Sequence, residues 1–214
     1  MLRDRTFWLT AERCLFWEEE RLLIVSDLHF GKTGHFRRSG IPVPPSVYME
    51  DLQRLFQQVQ YFQPHELIFV GDLFHSRPNL EHGLFHKWRK DLHSLPMHLV
   101  MGNHDLHSKK DHEGLDLIIH EESYTRGEFT FVHDLSSSPL QPHPSPYFIT
   151  GHIHPGIRLK GKGRQSFRFP CFYFTPRVAV LPAFSRFTGM ALIEPNREDD
   201  VFAIVENKLI QVNP

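Results

Sequence analysis

At 214 residues, 40 % of them apolar, the chain can bury a sizeable core and reads as one domain spanning 1–214. Lys+Arg 24 against Asp+Glu 25 excludes a global field that would draw it to nucleic acid or an anionic membrane, so any basic surface must be local. Cys14 and Cys171 lie far apart at no metal-binding spacing, no apolar h-region opens the chain, and no apolar run reaches membrane-spanning length, so a cytoplasmic protein without a disulfide framework is expected.

Thr6–Leu9 and Cys14–Trp17 read as short strands, with Glu18–Arg21 as an exposed turn. Leu22–Val25 is a continuous apolar strand that runs into Ser26-Asp27-Leu28-His29. Alternation along a strand would point Asp27 and His29 the same way, a spacing suited to one ion. The glycine-rich, basic loop that follows brings Lys32, Arg37 and Arg38 beside this D-x-H, where they either hold a phosphodiester or are simply solvated. It is not a P-loop, because the upstream glycine of that motif is missing.

A helix is expected after Pro45 or Ser46, with Tyr48, Leu52, Leu55, Phe56, Val59 and Phe62 as its core stripe. Glu66–Val70 is a second buried strand, and it ends in Gly71-Asp72. A second amphipathic helix carries Leu84, Phe85, Trp88 and Leu92 on one face, with His82, His86, Lys87, Arg89 and Lys90 elsewhere and its two histidines read as surface. Met97–Met101 is the third strand and delivers Gly102, Asn103, His104 and Asp105. Residues 22–105 thus read β-α-β-α-β, which implies a parallel sheet with right-handed crossovers. Groups at the carboxyl ends of such strands meet in one crevice.

From residue 115 strands follow at short intervals: 117–120, 128–133, 146–150 entering Gly151-His152-Ile153-His154, and further runs to 212. They should form a second sheet packed on the first. Between them, 157–168 holds Arg158, Lys160, Lys162, Arg164 and Arg168 with no acidic residue, and reads either as a track for a nucleic-acid backbone or as a solvated hairpin.

Collected in order, the residues at strand ends are Asp27, His29, Asp72, Asn103, His104, His133, His152 and His154. Seven of them can ligate two divalent ions if one carboxylate, most simply Asp72, bridges. Carboxylate, imidazole and amide oxygen together suit Mn²⁺, Fe or Zn²⁺. Such a pair acidifies a shared water and clamps the phosphoryl oxygens of an in-line displacement. His104 is left over to stabilise the transition state or protonate the leaving oxygen, with Asp105 to orient it.

The order D-x-H, G-D, G-N-H-D, H, G-H-x-H resembles the calcineurin-like metallophosphoesterases, here as Asp27-Leu28-His29, Gly71-Asp72, Gly102-Asn103-His104-Asp105, His133 and Gly151-His152-Ile153-His154. The resemblance implies a four-layer α/β/β/α sandwich. One ion would lie on Asp27, His29, Asp72 and His154, the other on Asp72, Asn103, His133 and His152, with His104 as the catalytic histidine. Asp134 follows His133 where that superfamily often has glycine, and His120, which also ends an apolar strand, is the rival for that role.

A finer resemblance, carried by Ser26–Lys32, Phe36-Arg37, Gly40–Pro44, Gly71–Ser76, Leu181–Phe184 and Phe187–Gly189, is to the bacterial ligase-associated DNA-damage-response phosphoesterases. It implies a Mn²⁺-dependent phosphodiesterase or endonuclease acting on DNA beside a DNA ligase and a helicase. The alternatives are a phosphatase or pyrophosphatase on a small nucleotide and a non-catalytic scaffold, the latter having no need of a complete ligand set.

Overall fold

The computed structural model describes residues 2–32, 46–75, 80–105, 114–137, 146–161, 163 and 165–212. Arg37, Arg38, Lys162, Arg164 and the segments 33–45, 76–79, 106–113 and 138–145 lie outside the described residues.

Strands β1 (Phe7–Leu9), β2 (Leu15–Trp17) and β3 (Leu22–Ser26) form an antiparallel meander. β4 (Glu66–Val70), β5 (Met97–Val100) and β6 (Ile118–His120) then add in parallel, giving the order β1-β2-β3-β4-β5-β6. The crossovers from β3 to β4 and from β4 to β5 contain α1 (Ser46–Phe62) and α2 (Leu80–Asp91).

Strands β3, β4 and β5 are apolar at nearly every position because both of their faces are covered. Leu23, Val25, Phe69 and Leu99 pack with Leu52, Leu55 and Val59 of α1 and Phe85 and Trp88 of α2. Leu22, Ile24, Ile68 and Val100 face the other way, onto Phe129, Phe131, Tyr147, Ile149 and Phe172 of the second sheet. Each such side chain contributes about 1.5–3 kcal/mol on burial. That is ample to fix which strand faces belong inside.

The second sheet comprises β7 (Ser123–Arg126), β8 (Phe129–Val132), β9 (Tyr147–Thr150), β10 (Pro155–Lys160), β11 (Ser166–Phe174), β12 (Val178–Val180), β13 (Ala191–Leu192), β14 (Asp200–Val205) and β15 (Lys208–Val212). Its order is β13-β10-β11-β12-β9-β8-β7, with β14 pairing β11 and β15. β11 is long enough to serve β10 with Ser166–Pro170 and β14 with Cys171–Phe174. The mixed α/β sandwich of two sheets expected from the sequence is therefore the observed architecture. Among the described residues both α-helices cover the first sheet, while the outer face of the second carries an apolar cluster around Ile157, Cys171, Val201 and Ala203.

Four local expectations are corrected. β6 does not join the second sheet but closes the edge of the first, parallel to β5. β7, a polar strand with weak patterning, was not foreseen. Phe56, placed in the α1 stripe, is exposed. His82, read as surface, is buried and stacked on Phe74 at 4.3 Å, because α2 turns that face onto the loop after β4.

Candidate metal centre

The carboxyl ends of β3, β4 and β5 and the segments after β8 and β9 meet at one end of the sandwich. Asp27, His29 and His154 bring one ligand atom each within 4.8 Å of one another, and so do Asp27, Asp72 and His133. His133 Nε2 lies 3.0 Å from Asp27 Oδ1 and 3.7 Å from Asp72 Oδ2. His154 Nε2 lies 3.7 Å from Asp27 Oδ1 and 3.1 Å from His29 Nε2. Asp27 is common to both clusters, and Asp72, the carboxylate that the sequence offers most simply as a bridge, has Oδ2 4.0 Å from His29 Nδ1 as well as 3.7 Å from His133 Nε2.

These side chains converge through strained backbone. β3 ends at Ser26, and Asp27, His29, Asp72, His152 and His154 all have positive φ, at 51°, 50°, 35°, 68° and 49°. A left-handed non-glycine residue costs about 1–2 kcal/mol, and such residues persist only where the surroundings over-determine them. The surroundings here do so: His29 N–H donates to Asp72 O at 2.9 Å, His104 N–H to Asp72 Oδ1 at 3.0 Å and His152 N–H to Asp27 Oδ2 at 3.0 Å. Two glycines leave room for the ligands. A Cβ at Gly71, where φ is +78°, would lie 2.7 Å from His133 Nε2 and overlap the ring, and one at Gly151 would lie 3.1 Å from Asp27 Cγ and overlap its carboxylate.

Electrostatics distinguish the residues. Burial alone would raise Asp27, but hydrogen bonding and charge from His133 and His154 outweigh it and hold the carboxyl well below the usual range. Burial pushes His29 down to about 2. For His133 burial also lowers the imidazole, yet the hydrogen bond and charge of Asp27 prevail and the net direction is up. Burial lowers the Lys32 amine against the pull of Asp72 and Asp27, which places this lysine within the field of the centre.

The donor set fits divalent metal. Two ring nitrogens 3.1 Å apart and two carboxylates, nearly all buried, leave lone pairs converging on a small volume, and such an arrangement is costly unless a cation neutralises it. Asp27, His29, Asp72, His133 and His154 are brought together. His152 sits beside them, its ring 4.9 Å from that of His133 and its Nε2 3.8 Å from Asp134 Oδ2. Asn103 is exposed in the turn after β5. His104 lies at the rim with Nε2 4.0 Å from Asp72 Oδ2. Asp105 is fully buried and accepts the N–H groups of Gly102 at 3.0 Å, Phe74 at 3.1 Å and Leu73 at 3.2 Å, tying the loops after β4 and β5 together. Burial nevertheless pushes its carboxyl up to about 7. Arg158 and Lys160 lie on β10, directly after His154. The rival histidine, His120, is elsewhere: its Nε2 meets His98 Nδ1 at 2.9 Å in a network with Glu66 and Arg126.

Composition and spacing gave no signal for the supporting strap 182–189; only the motif 181–189 hinted at it. Phe184 N–H donates to Ser26 O at 2.7 Å, Ser185 N–H to Asp27 O at 3.4 Å, and Gly189 O faces His154 Nδ1 at 3.3 Å. A carbonyl on Nδ1 favours the tautomer that aims the Nε2 lone pair at the centre. Arg13 donates to Ala183 O and Ser185 O at 2.9 and 2.7 Å, and Arg54 to Phe184 O at 2.6 Å, fastening the strap.

The chain is similar over 99 % of its length, and over 97 % of the other chain, to the nuclease MPE of Pseudomonas putida, at 28 % identity and a TM-score of 0.82. It is also similar to YfcE, a phosphoesterase from E. coli, at 15 % identity and a TM-score of 0.49, covering 90 % of this chain and 98 % of that one. No curated protein sequence matches. The profile of the calcineurin-like phosphoesterases matches residues 20–168, the span that holds every candidate ligand, and the chain belongs to that family of metal-dependent phosphoester hydrolases.

Proposed function

We propose that the chain is a two-metal phosphodiesterase acting on DNA, as a nuclease in DNA repair, with Mn²⁺ as its metal. The observation that carries this reading is the pair of overlapping clusters, Asp27–His29–His154 and Asp27–Asp72–His133, at one end of the sandwich. Asp27, His29, Asp72 and His154 would hold one ion, and Asp72, Asn103, His133 and His152 the other, with Asp27 reaching both. When bound, the ions supply Lewis-acid activation of water and neutralise charge on the phosphoryl oxygens.

The chain's own residues do the rest. His104, half exposed at the rim, faces the side from which a phosphodiester would enter and delivers a proton to the leaving oxygen or stabilises the charge that develops there. Asp105 acts through the loops it ties and is a positioning residue. Lys32 draws the phosphate in. The resemblance of the whole chain to a protein named as a nuclease favours DNA over a small nucleotide. A ligase and a helicase are the partners that the family resemblance names.

The test is hydrolysis of bis-p-nitrophenyl phosphate beside p-nitrophenyl phosphate by metal-stripped protein reconstituted with Mn²⁺, with His104→Ala alongside. Diester hydrolysis that needs Mn²⁺, and a His104→Ala protein that keeps two metals but loses turnover, is the expected result. Preference for the monoester would move the substrate to phosphorylated small molecules. A His104→Ala protein that had lost its metals would show that its assigned role is wrong.

A further inference from the structure

The hairpin that follows His154 carries an unfavourable charge arrangement. In the β10–β11 register Arg158 lies directly opposite Arg168, and Lys160 opposite Ser166. Like charges directly opposite on neighbouring strands are destabilising. Among the described residues none of Arg158, Lys160 and Arg168 forms an ion pair, and Glu194, just past β13, is exposed and does not pair with them.

Alternation settles which face they share. Ile157, Phe169 and Cys171 belong to the outer apolar cluster, whereas Phe172 points inward to the core between the sheets. Arg158, Lys160 and Arg168 have the parity of Phe172 and so stand on the inner side of the sheet. Moving along that face toward the metal ligands, the next positions are Gly156 and Pro170. Pro170 lines a cavity of about 70 Å³ together with His154, Arg13, Arg186 and Thr188. Arg13 is fixed there by its two carbonyl bonds. Arg186 is half exposed and pairs with Glu12 at 3.0 Å.

We propose that this face is a backbone track for one nucleic-acid strand. The Arg13–Arg186 cavity beside His154 takes the phosphate next to the scissile one, and Arg168 with Arg158, then Lys160, take those beyond it. Residues two apart on a strand stand about 6.8 Å apart, so each basic step along β10 advances the track by about one nucleotide. The like-charge pair on an exposed hairpin, unfavourable in the free protein, becomes favourable when a polyanion lies over it. The inference rests on the diesterase reading above and deepens it, naming the residues and the side from which the strand leaves.

The test is binding of a short fluorescein-labelled single-stranded deoxyoligonucleotide to the metal-stripped full chain, by anisotropy over a series of KCl concentrations, so that no turnover is needed. The Arg158→Ser/Arg168→Ser double variant is expected to weaken binding about tenfold and to lower the log–log salt slope by about 1.4, at about 0.7 per lost phosphate contact on a single strand. Arg186→Ala should lower it by about 0.7. Freed of the like-charge pair, the double variant should melt no lower than wild type, which separates lost binding from lost fold. Lys87→Ser/Lys90→Ser on α2, which removes the same charge from the outer face of the first sheet, should bind as wild type does. Equal slopes for wild type and the Arg158/Arg168 variant, an equal fall in the α2 control, or no binding by wild type would each overturn the track. With Mn²⁺ restored, a wild type that cuts the oligonucleotide while the arginine variants match it refutes the track and leaves the diesterase reading standing. Wild type that cleaves no diester, yet loses oligonucleotide binding with those arginines, refutes the diesterase reading and leaves the track.

Discussion

Gly71→Ala should disable the centre through His133 without removing any ligand atom. The substitution places a methyl group 2.7 Å from His133 Nε2, and nearer still to the ring carbons, at a position where φ is +78°. Left-handed backbone costs an alanine about 1–2 kcal/mol. The overlap with the nearest ring carbon must open to about 3.5 Å, so the ring has to shift by well over an ångström, and overpacking of this kind costs about 1–3 kcal/mol more. His133 has little room to yield, with Nε2 held 3.0 Å from Asp27 Oδ1 and its ring 4.9 Å from that of His152. The expected result is a loss of about 2–5 kcal/mol in urea unfolding of the metal-free protein. Folded protein should carry less than two metals by mass spectrometry, with turnover down about 100-fold, the scale of a 1 Å misplacement. Because the effect runs through one side chain, Gly71→Ala and His133→Ala should be far from additive in turnover. A Gly71→Ala enzyme with two metals and wild-type turnover would refute both the ligand role of His133 and the steric argument.

Asp105→Asn retains the shape of the side chain but cannot accept three N–H groups as a carboxylate does. It should slow turnover, by up to about 100-fold, by loosening the turn that presents His104; unchanged turnover would refute this. In metal-free protein His29 and His133 should couple to pH with opposite signs. His29 is depressed to about 2 by burial, so the unfolded chain takes up its proton first, and the stability His29 contributes is full above about 6.5 and is lost as pH falls below it. His133, raised against its burial by Asp27, contributes stability that is full below about 6.5 and is lost as pH rises through its folded value. Urea midpoints of His29→Gln and His133→Gln between acid and alkaline pH check this: the gap to wild type should shrink in acid for the first and in alkali for the second. Gaps moving the same way for both would contradict it.

The sequence by itself determined which residues gather. Apolar runs ending in ligand-type residues, separated by helices of crossover length, dictate a parallel sheet whose carboxyl ends converge, and β3, α1, β4, α2 and β5 formed where patterning placed them. Asp27, His29, Asp72 and His154 were legible because each stands in a local motif, whereas His133 was preferred to His120 on order alone.

How they gather was decided by the tertiary structure. Alternation along an extended strand was the reason given for Asp27 and His29 sharing one ion, yet both lie past the end of β3 in left-handed backbone. Their aim comes from hydrogen bonds to residues 43 and more positions away, such as His29 N–H to Asp72 O. The same is true of Asp27 reaching both clusters, of the strap fastened by Arg13 and Arg54, and of His82 turning inward onto Phe74. Local pattern encodes which side chains an element offers to one end of a sheet. The angle at which each arrives is fixed by long-range carbonyls, carboxylates and packed rings, which no window of sequence contains.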